Sequence, residues 1–468
     1  MEDRIGQRLV KDGVITERQL LEAIERQMHQ GGRLGQNLVE LGHLSAENLD
    51  AFFRKHPPAP GTLKDTGLEL SFITDLVLKH ALFRGEFTLP ELSSSVKLPV
   101  SIVDMAVETL RRDKLVEVKG ATQYAKVTYK FNITGQGKLR AGELFDICRY
   151  VGPAPVSLTD YTEMVTSQTI KHIVVSEPSV KKGFSHLIIS EEMLRRLGPA
   201  ISSGKAIFLY GPPGNGKTAI AETMGNTLPG TVYMPYSIIV GGQIINVFDP
   251  VNHILVAPEK KEDEIDQRWA LIKRPVVMTG GELTLKMLDL EYNPATKFYN
   301  APLQMKANNG LFIVDDFGRQ QITPQNLLNR WIVPLERRVD FLSLPTGMKF
   351  DIPFDQLSVF STNIEPRKLV DEAFLRRIRY KIKIDHPTEA EYETIFKLVC
   401  RTNGIEFDEA VFDHLMKDYY GKHGVSLNAC HPRDIVEHII DHAHYYHHDL
   451  RLSKENIAAA WENYFVEM

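Results

Sequence analysis

The sequence predicts a multidomain chain: a small all-α repeat, an α+β unit, an α/β core on a parallel sheet, and a C-terminal helical lid. Three observations predict it. The stretch Gly211-Pro212-Pro213-Gly214-Asn215-Gly216-Lys217-Thr218 fits G-x-x-x-x-G-K-[ST], with a short apolar run before it and a helical pattern after it. The segment Arg4-Ile5-Gly6-Gln7-Arg8-Leu9-Val10 is echoed by Arg33-Leu34-Gly35-Gln36-Asn37-Leu38-Val39, an offset of 33 − 4 = 29 residues. Proline-rich runs at 57–60 and 153–155 cut the chain between these units.

At 468 residues there is room for about three ordinary domains. An apolar fraction of 43% suits a globular chain with a sizeable core. The net charge of −5 gives no global pull toward nucleic acid or an anionic membrane. Met1 to Lys11 is charged and patterned, unlike a signal peptide, and no apolar run approaches a membrane span. Cys148, Cys400 and Cys430 lie far apart and form no C-x-x-C pair, which suits a reducing compartment and argues against a zinc ribbon. The expected location is the cytoplasm.

In the glycine-rich stretch, Ala206 to Tyr210 reads as a buried strand and Ala219 onward as a helix. Strand, turn and helix N-terminus together make an anion site. Backbone N–H groups and the helix dipole face the phosphates, Lys217 reaches the β- and γ-phosphates, and Thr218 can ligate Mg²⁺.

In the N-terminal echo, Gly13 pairs with Gly42, Leu20 with Leu49 and Ile24 with Phe53, each copy reading as helix, glycine stop, amphipathic helix. The twofold pattern R-[LI]-G-x-x-L-V-x-x-G resembles the MshEN domain, which heads bacterial type II secretion and type IV pilus ATPases and binds cyclic di-GMP. The resemblance implies contacts from Arg4, Ile5, Gly6, Leu20, Ile24 and Gln27, then Arg33, Leu34, Gly35, Leu49 and Phe53. An arginine fork suits a phosphate or a guanine edge. His56 stands where the first copy has Gln27, and the alternative use of the repeat is as a helical docking module. It occupies 1–56, and 57–66 is a stiff linker.

From 67 to 150 three helices are expected, Ser71 to Arg84, Leu89 to Val96, and one opened by Pro99 that runs to Asp113. Two strands follow, Leu115 to Lys119 and Val127 to Ile133, joined by a turn holding Gly120, then a helix ending near Tyr150. This order resembles a winged helix. The charge balance of 12 Lys/Arg to 10 Asp/Glu, with Asp104 and Glu108 early on the would-be recognition helix, argues against DNA and for protein docking.

From Asp160, strands and helices alternate as in a parallel sheet covered on both faces. Leu311-Phe312-Ile313-Val314-Asp315-Asp316 is an apolar strand ending in two carboxylates, which places Asp315 in a Mg²⁺ shell and Asp316 toward an attacking water. Val359-Phe360-Ser361-Thr362 delivers Asn363. With Phe374-Leu375-Arg376-Arg377-Ile378-Arg379 and a helical end, this order resembles an AAA+ ATPase, with 160–385 as core and 386–468 as lid. The resemblance implies ATP and Mg²⁺ as cofactors and a homo-oligomeric ring, commonly a hexamer. In it Arg376, Arg377 or Arg379 reaches a neighbouring subunit's nucleotide, and Arg433 is a nucleotide-sensing arginine of the lid. Asp316 departs from the family's glutamate and changes the reach to the water, which favours slow turnover. The zinc knuckle and the acidic and histidine boxes of pilus motors are missing from the sequence.

Between the two phosphate motifs, Tyr236 with Ile238-Ile239, or Tyr299, are pore-loop candidates in this family and otherwise core and turn residues. The charged run Glu259 to Asp266 reads as a solvated loop. His438/His442 and His444/His448 have metal-chelating spacing, but the sequence offers no third ligand set, so a polar helix face is expected. The function expected is an ATPase regulated by cyclic di-GMP in a bacterial pilus, secretion or other cell-surface process. The alternatives are a nucleotide-gated scaffold and a DNA-binding regulator.

Overall fold

The computed structural model describes residues 6, 9–10, 13–30, 34–45, 48–49, 52, 56–121, 129–173, 175–257 and 265–465. Arg4, Ile5, Arg33 and Phe53 lie outside the described residues. The N-terminal repeat is kept bond by bond. Gly13 N–H donates to Val10 O and Gly42 N–H to Val39 O, both at 3.0 Å, and both glycines have positive φ, 71° and 73°. Helices α1 (Glu17–Gln30) and α2 (Leu34–Glu40) close on Leu9, Ile15, Ala23, Leu38, Leu44 and Leu49, in which Leu9 and Leu38 stand one repeat apart, as do Ile15 and Leu44.

The next unit holds α3 (Leu70–Arg84), β1 (Glu86–Phe87), α4 (Leu89–Val96), α5 (Val100–Arg112), β2 (Val116–Ala121), β3 (Tyr129–Ile133) and α6 (Gly135–Ile147). Local chemistry sets its boundaries: a Thr88–Glu91 capping box opens α4, and the Thr134 hydroxyl caps α6 by accepting from Gly137 N–H. The strands pair in the order β1-β3-β2. Gly120 lies within β2, where the register shifts between Val118 and Gly120, and not in the connecting turn. A bulge takes up the extra residue that the turn was expected to hold.

Beyond it come β4 (Val156–Ser157), α7 (Leu158–Ser167), α8 (Glu177–Gly183), α9 (Glu191–Ser202), β5 (Ile207–Tyr210) and α10 (Lys217–Asn226). Then follow β6 (Thr231–Pro235), β7 (Ser237–Val240), β8 (Gln243–Asn246), β9 (Trp269–Lys273), β10 (Val276–Thr279), β11 (Glu291–Asn293), β12 (Phe298–Asn300) and β13 (Leu311–Val314). Helix α11 (Pro324–Arg337), β14 (Val339–Ser343), β15 (Lys349–Pro353), β16 (Leu357–Thr362) and β17 (Tyr380–Lys383) complete the sheets.

Among the described residues these strands build two five-stranded sheets and two antiparallel pairs, β6 with β9 and β14 with β15. One is wholly parallel, in the order β10-β13-β16-β5-β17. Its residues alternate between two cores: Ile207, Leu209, Ile313 and Val359 face one side, Phe208, Phe312, Val314 and Phe360 the other. The other sheet is mixed, in the order β11-β12-β8-β7-β4, and has a core of its own. Strict alternation of strand and helix therefore holds only for part of the stretch from Asp160. Between α10 and β13 the described residues hold only two short helical turns, Leu285–Leu288 and Leu303–Lys306, and the strands turn back on themselves, as at Gly241-Gly242 between β7 and β8.

This second sheet settles several residues. Ile238 is fully buried in β7 and Tyr299 nearly so in β12, so neither is a loop residue. Asp266, at the end of the charged run, is not solvated. It is buried in an ion pair with the equally buried Arg268, at 2.7 Å, while residues 259–264 lie outside the described residues. Arg268 also donates to Thr66 O and Pro155 O, which fastens the linker and the following proline run to the start of β9 in the β6–β9 pair.

The lid comprises α12 (Glu389–Thr402), α13 (Glu409–His414) running into a π-helical turn (Leu415–Gly421), α14 (His431–Tyr446) and α15 (Lys454–Tyr464), around a core of Tyr392, Phe396, Phe412, Ile435 and Trp461. Among the described residues no helix is long and apolar enough to cross a membrane, and no group of three metal-ligating side chains gathers, the α14 histidines included.

Candidate nucleotide-phosphate site

The carboxyl edge of the parallel sheet gathers the site. All five strands end there in register: Tyr210 beside Thr362 on one side and Lys383 on the other, and Val314 beside Phe360 and Thr279. The segments that leave these strand ends therefore converge on one rim.

After β5, the chain makes the glycine-rich loop. Gly211 has φ 145°, and a Cβ there would sit 2.0 Å from Ile384 O, so only glycine lets the loop leave the sheet beside the end of β17. Gly216 caps α10, and Lys217 is its first residue. The Lys217 side chain is buried and curls back, its Nζ donating to Gly211 O at 3.1 Å and Pro212 O at 2.7 Å. Burial pulls the Lys217 ammonium below its ordinary range, and the charges of Asp316 and Asp315 act against that. Thr218 Oγ1 donates to Asp315 Oδ2 at 2.8 Å, joining two motifs that are 97 residues apart.

After β13, Asp315 N–H donates to Thr279 O at 2.8 Å. Asp316 takes the left-handed conformation, φ 47°, which is uncommon for a side chain with a Cβ and turns the chain sharply at the strand end. Its Oδ1 accepts from Asn363 Nδ2 at 3.3 Å, so the second carboxylate and the amide after β16 meet. Phe317 N–H donates to Ser361 O and Thr362 Oγ1 to Phe317 O, which ties this turn to β16.

The three arginines differ. Arg377 Nε is held by Glu336 of α11 at 2.6 Å, while Arg376 and Arg379 are exposed, Arg379 with its guanidinium 5.9 Å from the Tyr380 ring centre. Arg433 is exposed on α14 and faces Asp434 and Glu437. The part of the lid that reaches the loop is a different one. Cys430 N–H donates to Gly214 O at 2.9 Å and Ala429 N–H to Asn215 Oδ1 at 3.0 Å.

Away from this rim, Gly6 is buried, with a Cβ meeting Leu20 Cδ1 at 2.4 Å and Leu34 Cδ2 at 3.1 Å. Gly35 stands the same way, 2.9 Å from Leu49 Cδ2. Ile24 and Gln27 lie on α1 and are half-buried. His56, at the position equivalent to Gln27, bonds through Nδ1 to Tyr233 Oη of β6 at 2.9 Å, so it is engaged by the β6–β9 pair.

Some residues at the rim had no motif to announce them. Gln320 Nε2 donates to Asp315 O at 2.7 Å while its Oε1 accepts from Gly318 N–H, which braces the acidic turn. Glu282 accepts from Thr279 Oγ1 and Gly280 N–H at the end of β10. Both sets of bonds are local, made within five residues along the chain.

The chemistry of the set fits a magnesium nucleotide. A hydroxyl and a carboxylate lie within hydrogen-bond reach, as a shared ion would need, and a buried ammonium bonded to loop carbonyls is suited to an anion. A family described as a domain of unknown function (DUF8689) matches residues 388–463. No curated protein matches the chain. Among solved structures the chain is similar to a mutant RuvB of Thermotoga maritima, at 14% identity and TM-score 0.34, over 63% of this chain and 72% of that one. It is also similar to NtrX from Brucella abortus in complex with ADP, at 13% identity and TM-score 0.37, over 79% and 69%. Likenesses of this depth carry no weight for function, which rests on the rim.

Proposed function

We propose that the chain is an AAA+-type ATPase that binds ATP with Mg²⁺ at this rim and hydrolyses it. The observation that carries this is the Thr218–Asp315 hydrogen bond, which brings the glycine-rich loop and the acidic strand end to one ion-sized position. Gly211 to Thr218 hold the phosphates, Thr218 and Asp315 hold Mg²⁺, and the ion screens charge on the phosphates when bound. Asp316, braced by Asn363, orients the water. Arg376 and Arg379 are the exposed candidates to act across a subunit interface in a ring, whereas Arg377 is engaged by Glu336. Arg433 serves as a lid arginine.

In the same proposal, 1–56 is a cyclic di-GMP-binding domain, 57–66 a linker, 67–150 a winged-helix-like docking unit, 160–385 the ATPase core and 386–468 its lid. The protein itself is cytoplasmic, and its output serves a bacterial pilus, secretion or other cell-surface process. Phosphate release by the purified chain, with and without cyclic di-GMP and beside Lys217→Ala, tests it. Turnover that is lost in Lys217→Ala and shifts with cyclic di-GMP is expected. Turnover indifferent to Lys217 would sink the ATPase reading, and turnover indifferent to cyclic di-GMP the regulatory one.

A second reading has its own observation. Asp316 is short by one methylene and sits in the left-handed conformation. A protein that binds ATP yet turns it over slowly, as a nucleotide-gated scaffold, follows from that, and ATP binding without turnover would favour it.

A further inference from the structure

The C-terminal helical segment touches the phosphate loop through a chain of neutral side chains and not through its arginine. Asn215 is the only residue of the loop's G-x-x-x-x-G-K-T pattern with an amide side chain, and it is buried. Its Oδ1 accepts from Ala429 N–H at 3.0 Å, and its Nδ2 lies 3.4 Å from Asn428 Oδ1. Asn428 Nδ2 reaches His431 Nε2 at 3.1 Å, His431 Nδ1 reaches Tyr420 Oη at 2.9 Å, and Tyr420 Oη reaches Tyr392 Oη at 2.6 Å.

The directions are consistent along the whole chain. Asn428 Oδ1 accepts twice, from Asn215 and from His386 Nδ1–H at 2.9 Å, a proton that Leu427 O shares at 2.8 Å, so the Asn428 nitrogen is the donor toward His431. His431 then holds its proton on Nδ1 and donates to Tyr420, which donates to Tyr392. A buried chain of this kind stiffens when complete and becomes costly when one link is removed.

The backbone approach is equally close. A Cβ on Gly214 would lie 2.7 Å from Cys430 Sγ, so the lid sits against the loop with no room between them. Arg433, by contrast, is 66% exposed and faces acids of its own helix.

We propose that residues 427–431 form a clamp on the phosphate loop, with Asn428 coupling Asn215 to the His431–Tyr420–Tyr392 chain in the lid core. The conformation of the loop is thereby read inside the lid. The clamp gives a role to the segment matched by the domain of unknown function, and its use as a nucleotide sensor rests on the ATPase reading above. A phosphate that draws Lys217 off the carbonyls of Gly211 and Pro212 reshapes the loop between Gly211 and Asn215, where the clamp holds.

Amide hydrogen exchange on the full chain without nucleotide tests the clamp, with Asn215→Ala, Asn428→Ala and the double variant. Asn215→Ala is expected to speed exchange at least about tenfold in the lid peptide containing Ala429 and Cys430, and Asn428→Ala to do the same in the loop peptide. The double variant is expected to exceed neither by much, because the residues share one chain. Unchanged exchange across the interface, or additive effects in the double variant, would overturn the clamp whether or not ATP binds. Thermal unfolding checks that each variant is folded. ATP binding by the wild type, measured separately, decides the ATPase reading alone.

Discussion

Glycine does opposite things in the two motifs that organise this chain. In the phosphate loop, Gly211 is needed for its backbone: φ is 145° and Ile384 O stands where a Cβ would be. In the N-terminal repeat, Gly6 and Gly35 are needed for the space they leave, which Leu20 and Leu49 fill from within the same copy. The first kind lets the loop leave the sheet beside the end of β17, while the second closes a small core. One glycine thus serves the course of the backbone and the others the packing of side chains, although a sequence pattern writes both with the same letter.

The largest expected effect breaks the loop side of this contrast. Lys217→Ala should cut turnover at least about a hundredfold, because a preorganised cation at the phosphates is lost, while the unfolding midpoint stays close to that of the wild type. Gly211→Ala should cost about 3 kcal/mol or more, since the obstructing atom is backbone and cannot rotate away. Urea unfolding checks it, and a loss under about 1 kcal/mol would mean that the loop leaves the sheet differently.

A smaller effect sharpens the chemistry at the rim. Asp316→Glu restores the missing methylene, and turnover should rise about tenfold, the scale on which placement of a water-orienting group acts. An unchanged or lower rate would show that the left-handed turn at Asp316, and not side-chain length, sets the pace. Gly35→Ala tests the packing side. It should cost about 1–3 kcal/mol locally, because Leu49 Cδ2 is a side-chain tip that can yield. Faster amide exchange confined to α1 and α2, with basal turnover intact, is the expected result.

The smallest effect concerns pH. Burial pushes His431 down to about 4, with Asp434 opposing this and His386 adding to it. Its folded value lies below the ordinary value, so the unfolded chain binds more protons between about pH 6.5 and 4 and stability falls as pH falls through that window. A His431→Gln variant should show a flatter unfolding midpoint over the same range. An identical slope would assign the acid sensitivity elsewhere.

Much of this was legible wherever the physics is local. The glycine-rich loop announces strand and helix together, and the structure gives Ile207–Tyr210 and Lys217–Asn226 around it. The helix expected from Leu89 to Val96 has those bounds in the structure, where a local capping box opens it. The echo at offset 29 could be read residue by residue, and its hydrogen bonds repeat with it. The mixed sheet was not legible. Its strands are short and its turns tight, and a short apolar run has no period long enough to distinguish strand from loop. The burial of Asp266 within a charged run was hidden as well, because its partner Arg268 and the carbonyls of Thr66 and Pro155 come together only when 202 and 113 residues of chain fold back.

The sequence by itself determined where the glycine-rich turn falls between strand and helix, where the two halves of the N-terminal module repeat, and where several helices start. Those depend on bonds among near neighbours, so composition and spacing are enough. Only the tertiary structure decided which side chains meet: Thr218 with Asp315, Asn363 with Asp316, and Asn215 with the lid and not with Arg433. A side-chain hydrogen bond needs its partners within about 3 Å, and for residues far apart in the chain only the order of strands in the sheet brings them that close.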